Sequence, residues 1–160
     1  MIISIKNNIL ITLSICLLIG CGFHLRGAIE ANFDSISITG GSEGFVKQLK
    51  KRLRQSSIEV RASGGEIILE ITEDKLEKRI LSLNSSGRVS EYELNYIIAY
   101  RIKSEKESEW GQLINSEVRR QYTFDDENVV AKALEEENLI KGMQDELIRT
   151  MTAQISLQVI

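Results

Sequence analysis

From Tyr92 to Ile102 every second residue is large and apolar: Tyr92, Leu94, Tyr96, Ile98, Tyr100 and Ile102. In an extended strand these six side chains leave the same face, and only a packed sheet hides them from water. A chain holding this segment, Val89 to Lys103, is committed to a β-sheet with one buried side.

The neighbouring segments supply its partners. Ser35-Ile36-Ser37-Ile38-Thr39 alternates polar and apolar and stops at Gly40-Gly41, which predicts a half-buried strand closed by a turn. Ile58 and Val60 make a short strand or strand lead-in before Ser63-Gly64-Gly65. From Glu66 to Leu83 the apolar positions Ile67, Leu69 and Ile71 alternate cleanly, continue less cleanly through Leu76, and resume at Ile80, Leu81 and Leu83. Asn84-Ser85-Ser86-Gly87-Arg88 reverses the chain, with Gly87 able to take positive φ. After a charged turn over 104–111, Gln112 to Phe124 adds a strand through Ile114, Val118, Tyr122 and Phe124.

Two segments carry helical spacing instead. Behind Ser42, placed as an N-cap, Phe45, Val46, Leu49 and Leu53 form one apolar stripe, and Lys47, Lys50, Lys51, Arg52 and Arg54 occupy the other faces. That basic surface reads either as an ordinary solvated face or as a dedicated anion surface. A long helix is predicted from about Glu127 to near the C-terminus, capped by Asp125 and Asp126, with a seam of Val130, Leu134, Leu139, Met143, Leu147, Met151 and Ile155 to lay on the sheet. The order strand, helix, three or four strands, helix predicts an α/β (α+β) sandwich with the helices on one face of a small sheet.

The N-terminus sets the compartment. An apolar run from Ile9 to Ile19 follows Lys6, ends in Leu18-Ile19-Gly20-Cys21, and gives way to His24 and Arg26. It has the layout of a bacterial secretory signal and is shorter than the roughly 20 apolar residues of a spanning helix. Gly20 before Cys21, with Leu18 upstream, reads as a lipobox: cleavage before Cys21 and acylation of its thiol. An ordinary signal peptide with an incidental cysteine, or a helix retained in the fold, are the other readings. Gly22 stands where an aspartate would retain a lipoprotein at the inner membrane, so outer-membrane sorting is expected. The predicted division is a signal over 1–20, an acylated tether over 21–34, and one domain over 35–160.

Removal of the signal takes Cys16 with it and leaves no free thiol once Cys21 is acylated, so the fold must rest on packing. The remaining chain of about 140 residues suffices for one core. It carries 19 basic against 23 acidic residues, a balance that gives no general attraction to nucleic acid. The only histidine is His24, in the tether. With no second histidine or thiol, zinc spacings and cysteine or histidine nucleophile pairs are excluded, and no metal or catalytic residue is expected. Glu91 with Glu93, and Glu135 to Glu137, are the carboxylate groupings left, in patterns common on solvated surfaces. Gly40-Gly41 and Gly64-Gly65 lack the motifs that cradle phosphates. A lipoprotein hydrolase therefore finds little support.

Three stretches, in order along the chain, resemble the LptE family of lipopolysaccharide-assembly lipoproteins. Cys21-Gly22-Phe23-His24-Leu25-Arg26-Gly27 is similar to the family's mature N-terminus. Gly87-Arg88-Val89-Ser90-Glu91-Tyr92 resembles its hairpin and following strand, and Val130-Ala131-Lys132, with Glu136 and Leu139-Ile140-Lys141-Gly142-Met143, resembles the start of its last helix. The family often has proline after the N-terminal motif, and this chain has none.

The resemblance implies two helices packed on one face of a four-stranded mixed sheet, in an outer-membrane lipoprotein that plugs an LptD-type β-barrel and binds lipopolysaccharide for delivery to the outer leaflet. It implies no cofactor beyond the covalent lipid on Cys21. Of the family's two cationic positions, the lysine entering the last helix is matched by Lys132. The residue before the hairpin glycine is serine here, and the nearest cation is Arg88, just after Gly87. Lys132 and Arg88 are thus the candidate lipopolysaccharide-binding residues, although Asp125, Asp126 and Glu127 stand close enough to pair with Lys132 instead. An accessory lipoprotein of another envelope machine, such as outer-membrane barrel insertion, is the alternative function.

Overall fold

A computed structural model describes residues 32–158. Strand β1 (Ser35–Gly40) leads into helix α1 (Glu43–Gln55), then β2 (Glu59–Arg61), β3 (Ile67–Leu83), β4 (Val89–Ser104) and β5 (Ile114–Thr123). A 3-10 turn (Asp126–Asn128) precedes helix α2 (Val129–Gln158). The strands form one mixed sheet in the order β2-β1-β3-β4-β5, with β1 parallel to both its neighbours and the β3-β4-β5 pairings antiparallel.

The sheet therefore has five strands where the family resemblance implied four. The additional strand is the Ile58–Val60 lead-in. Helix α1 ends at Gln55 with Ser56 as its C-cap, and Ser57 takes φ 63 to turn the chain, which buries Ile58 and lays Glu59–Arg61 alongside Ser35–Ser37. Three residues are too few for a period-two pattern to declare itself, so this edge strand exists through its pairing with β1 and the seating of Ile58.

Both helices cover one sheet face, as expected. Ser42 caps α1 by accepting from the Phe45 N–H, and Phe45, Leu49 and Leu53 are fully buried beneath the helix. The β4 alternation does what its pattern demands: Leu94, Tyr96, Ile98, Tyr100 and Ile102 lie in the core with Met143, Leu147, Met151 and Ile155 of α2. Among the described residues the core runs from Phe33 to Ile155. Burial pushes the Tyr96 phenol up to about 12, against the opposing hydrogen bond from Gln144, and the same burial raises Tyr100 further.

The predicted α2 seam is broken at its start. Val130 and Leu134 are 78% and 57% exposed, while Leu139 packs against the core. The step from Leu134 to Leu139 is five residues, which turns a helix through roughly 140° beyond a full revolution and carries the first two residues onto the outer side.

The other sheet face is polar. Arg79 pairs with Glu93 at 2.6 Å, Arg101 with Glu70 and Arg119 with Glu117. Glu93, expected on a solvated surface, is instead only 6% exposed and also accepts from the Gln121 amide. Its carboxyl is held below the usual range by the Arg79 hydrogen bond first and by Gln121 next.

Candidate functional site

Strand β1 pairs with β3 only through Ile71, so beyond that point the β3–β4 hairpin runs on with β5 beside it and the far edge of β3 paired with no described strand. Leu76, Ile80 and Leu83 on this extension are 41%, 55% and 58% exposed. The hairpin tip is tightly held. The Asn84 side-chain oxygen accepts from the Ser86 N–H, the Ser86 hydroxyl and the Arg88 N–H, while Gly87 at φ 77 closes the turn. Arg88 thereby leaves the turn from a fixed backbone.

The β5–α2 connection returns to this same end. The Phe124 N–H donates to the Ser90 carbonyl at 2.8 Å, and Asp125 accepts from the Glu127 N–H and the Asn128 amide. The backbone hydrogen bond from Glu127 is the main reason the Asp125 carboxyl lies below its ordinary range. Two sequence-derived candidates flank the connection: Arg88 pairs with Asp126 at 3.6 Å, and the Lys132 ammonium donates to the Thr123 hydroxyl at 3.1 Å. The ion-pair partner of Lys132 is Glu135, at 2.9 Å, rather than one of the capping acids. Cys21, the proposed lipid attachment point, lies outside the described residues.

A third cation belongs to this end of the molecule. Lys78 sits 2.6 Å from Glu136 of α2 and 4.2 Å over the ring of Tyr92, which stacks on Tyr122 and meets Phe124 edge-on. The Tyr122 hydroxyl donates to the same Glu136 oxygen. Burial works against the Lys78 charge, yet the hydrogen bonds with Glu136 and Tyr122 outweigh it and hold the ammonium pKa above its ordinary value. In the sequence Lys78 is hidden in a charged run. The legible signal was its phase: it lies two residues from both Leu76 and Ile80, and so shares their face.

Arg88, Lys132 and Lys78 thus edge a surface that includes Tyr92, Ile80 and the first turn of α2, where Val129 is 53% exposed. Such an arrangement suits an amphiphile with anionic groups beside apolar chains. It offers no catalytic set. Among the described residues no group of three or more His, Cys, Asp or Glu side chains is placed to hold a metal, and no helix is long and apolar enough to cross a membrane.

Residues 32–155 match the protein family described as LptE, lipopolysaccharide-assembly. Among solved structures, uncharacterized lipoprotein B from Nitrosomonas europaea is similar at 34% identity and TM-score 0.67, over 84% of this chain and 90% of its own. The rare lipoprotein B from Shewanella oneidensis is similar at 28% identity and TM-score 0.65, over 78% and 96%. A minor lipoprotein from Acinetobacter baumannii, 19% identical over 79% and 92% of the two chains, shares the fold at TM-score 0.64. Curated protein sequences give no match.

Proposed function

Because the chain belongs to the LptE lipopolysaccharide-assembly family, we propose that it binds the lipid A phosphates of lipopolysaccharide at the hairpin end of its sheet while plugging an LptD-type β-barrel. Family membership makes it a lipid-anchored, non-catalytic protein of the outer membrane. In this reading residues 1–20 are removed as a signal, Cys21 carries the acyl chains, residues 21–34 tether the body, and 35–160 form one LptE-like domain. Several chains on one residue give an anchor far firmer than a single chain provides.

The observation that carries the lipopolysaccharide reading is the convergence of Arg88, Lys132 and Lys78 on an end of the molecule that also exposes Ile80 and Val129. Phosphates require cations, and acyl chains favour apolar surface. The Arg88–Asp126 pair is exposed on both sides and is given up cheaply, since surface pairs are worth at most about 1 kcal/mol, while Lys132 is half-buried beside an exposed Glu135. The polar sheet face supports the plug reading: its ion pairs suit a wet barrel lumen, and enclosure should exceed the roughly 1,600 Å² of an ordinary stable interface.

Lipopolysaccharide titration of the purified protein tests the site. Arg88→Asp combined with Lys132→Asp is expected to weaken binding about tenfold or more, with Tm moved by no more than about 5 °C. Unchanged binding overturns it. Mild detergent extraction tests the partner: elution with an LptD-type barrel is expected, while recovery only as a monomer, or only with barrel-insertion components, overturns the plug.

A further inference from the structure

The basic surface of α1 is not absorbed by the hairpin site. This helix carries Lys47, Lys50, Lys51, Arg52 and Arg54 against a single acid, Glu43. Ten cations form ion pairs among the described residues, and none of the ten is on α1. Internal neutralisation is the rule on the rest of this molecule, so five uncompensated charges on thirteen residues mark a surface whose counter-charge comes from outside.

Part of that surface is shaped. Between α1 and α2 lies a groove of about 760 Å³ walled by Lys51, Arg52 and Arg149, together with Lys141, which pairs with Glu137 outside it, and with Asp145 its one acid. The two helices are pinned by the Gln48 amide donating to Gln144 at 2.7 Å. Two features of the groove lack an internal explanation. The Arg52 Nε is buried with no hydrogen-bond partner, a state proteins normally avoid. Gly142 interrupts the middle of α2, where glycine is unfavourable, and a Cβ added there would meet nothing within 4 Å. Packing does not require that glycine, whereas a group entering the groove would use the space it leaves.

We propose that this groove seats the phosphate headgroup of an anionic phospholipid and, with the flanking Lys47, Lys50 and Arg54, docks the helical layer on the leaflet that holds the acyl anchor before a barrel encloses the body. The inference rests on the anchored reading of Cys21. Thirteen residues lie between Cys21 and Ser35, so the body stays within roughly 50 Å of the membrane even when that tether is fully extended. Each cation near an anionic leaflet strengthens binding about fivefold, which makes a cluster of this size effective on a tethered domain. A guanidinium beside ammonium groups matches a headgroup phosphate, and the groove has the volume of a small-ligand site.

The chain from residue 32 onward contains every described core residue and lacks the acyl anchor, so its adsorption to vesicles reports the protein surface alone. Phosphatidylcholine vesicles with phosphatidylglycerol are expected to bind it, pure phosphatidylcholine vesicles are not, and added salt should weaken the binding. Lys51→Glu with Arg149→Glu should lose about 30-fold or more. Gly142→Leu should also lose affinity at unchanged net charge, with circular dichroism melting as the folding control. Arg88→Glu with Lys132→Glu should bind as the parent does. No binding, equal binding to both vesicles, groove variants that bind like the parent, or binding only when lipid A replaces phosphatidylglycerol would each overturn the proposal. The phospholipid vesicles hold no lipopolysaccharide, so failure here leaves the hairpin site standing, and failure there leaves this one.

Discussion

The Lys78 ammonium lies 2.6 Å from the Glu136 carboxylate, to whose same oxygen the Tyr122 hydroxyl donates, so one contact ties the hairpin extension, β5 and α2 together. Burial raises the Glu136 pKa, but the Lys78 and Tyr122 hydrogen bonds overcome it and leave the carboxyl below its usual 4.5. A group depressed in the folded state stabilises above its unfolded pKa and loses that contribution as pH falls through the folded value. Glu136→Gln is therefore expected to cost about 1 kcal/mol at pH 7, discounted for the partial exposure of Lys78. The difference from the parent should narrow as the pH falls below that usual value. Denaturant melts of both proteins across that range check it, and a gap that widens in acid would contradict the assignment.

Two glycines should respond in opposite directions to alanine. Gly40 has φ 74, and a Cβ there would stand 2.1 Å from the Ile71 carbonyl oxygen, the point at which β1 leaves β3. Gly40→Ala is expected to destabilise by about 2 kcal/mol or more through backbone strain and that clash. Gly142→Ala meets open space in a helix and should stabilise by up to about 1 kcal/mol. Thermal melting of both variants distinguishes them.

The long strands and both helices were legible because each carries a pattern longer than its own period. The six alternating positions of β4 and the Phe45–Leu49–Leu53 stripe leave one way to bury themselves. What escaped was short, or depended on a partner. Strand β2 has three residues, and Glu93 is buried through Arg79 and Gln121, which approach only when the sheet assembles. The site followed the same division. Arg88 and Lys132 stand next to recognisable turn and helix-start signals, whereas Lys78 acquires its place from the register that sets it across from Leu94, near Tyr92.

The break in the α2 seam has its own consequence. Met143 and Leu147 are fully buried, and truncating either to alanine should cost about 2–5 kcal/mol. Val130→Ser and Leu134→Ser, on the outward side of the first turns, should each shift stability by less than about 1 kcal/mol. Equal losses at Leu134 and Leu147 in urea titrations would restore the continuous seam.

Lys78 and Lys132 should separate stability from ligand binding. Removing Lys132 leaves Glu135, a carboxylate 44% exposed that water can satisfy, so Lys132→Gln is expected to cost little stability. Removing Lys78 strands Glu136, which is 25% exposed and enclosed by Tyr122, and strips the cation from the Tyr92 ring. Lys78→Gln should therefore lose about 1–2 kcal/mol. For lipopolysaccharide the order reverses. Lys132, although less exposed than Lys78, has to leave an exposed Glu135 and the Thr123 hydroxyl to meet a phosphate, whereas Lys78 must abandon a partly covered carboxylate that also holds Tyr122. Lys132→Gln should weaken binding about fivefold, and Lys78→Gln should weaken it less when measured well below its own Tm. Melting curves and lipopolysaccharide titrations on the same two proteins decide the matter. A Lys78 variant that binds worse than the Lys132 variant at matched folded fraction would move the phosphate contact from the helix start to the hairpin.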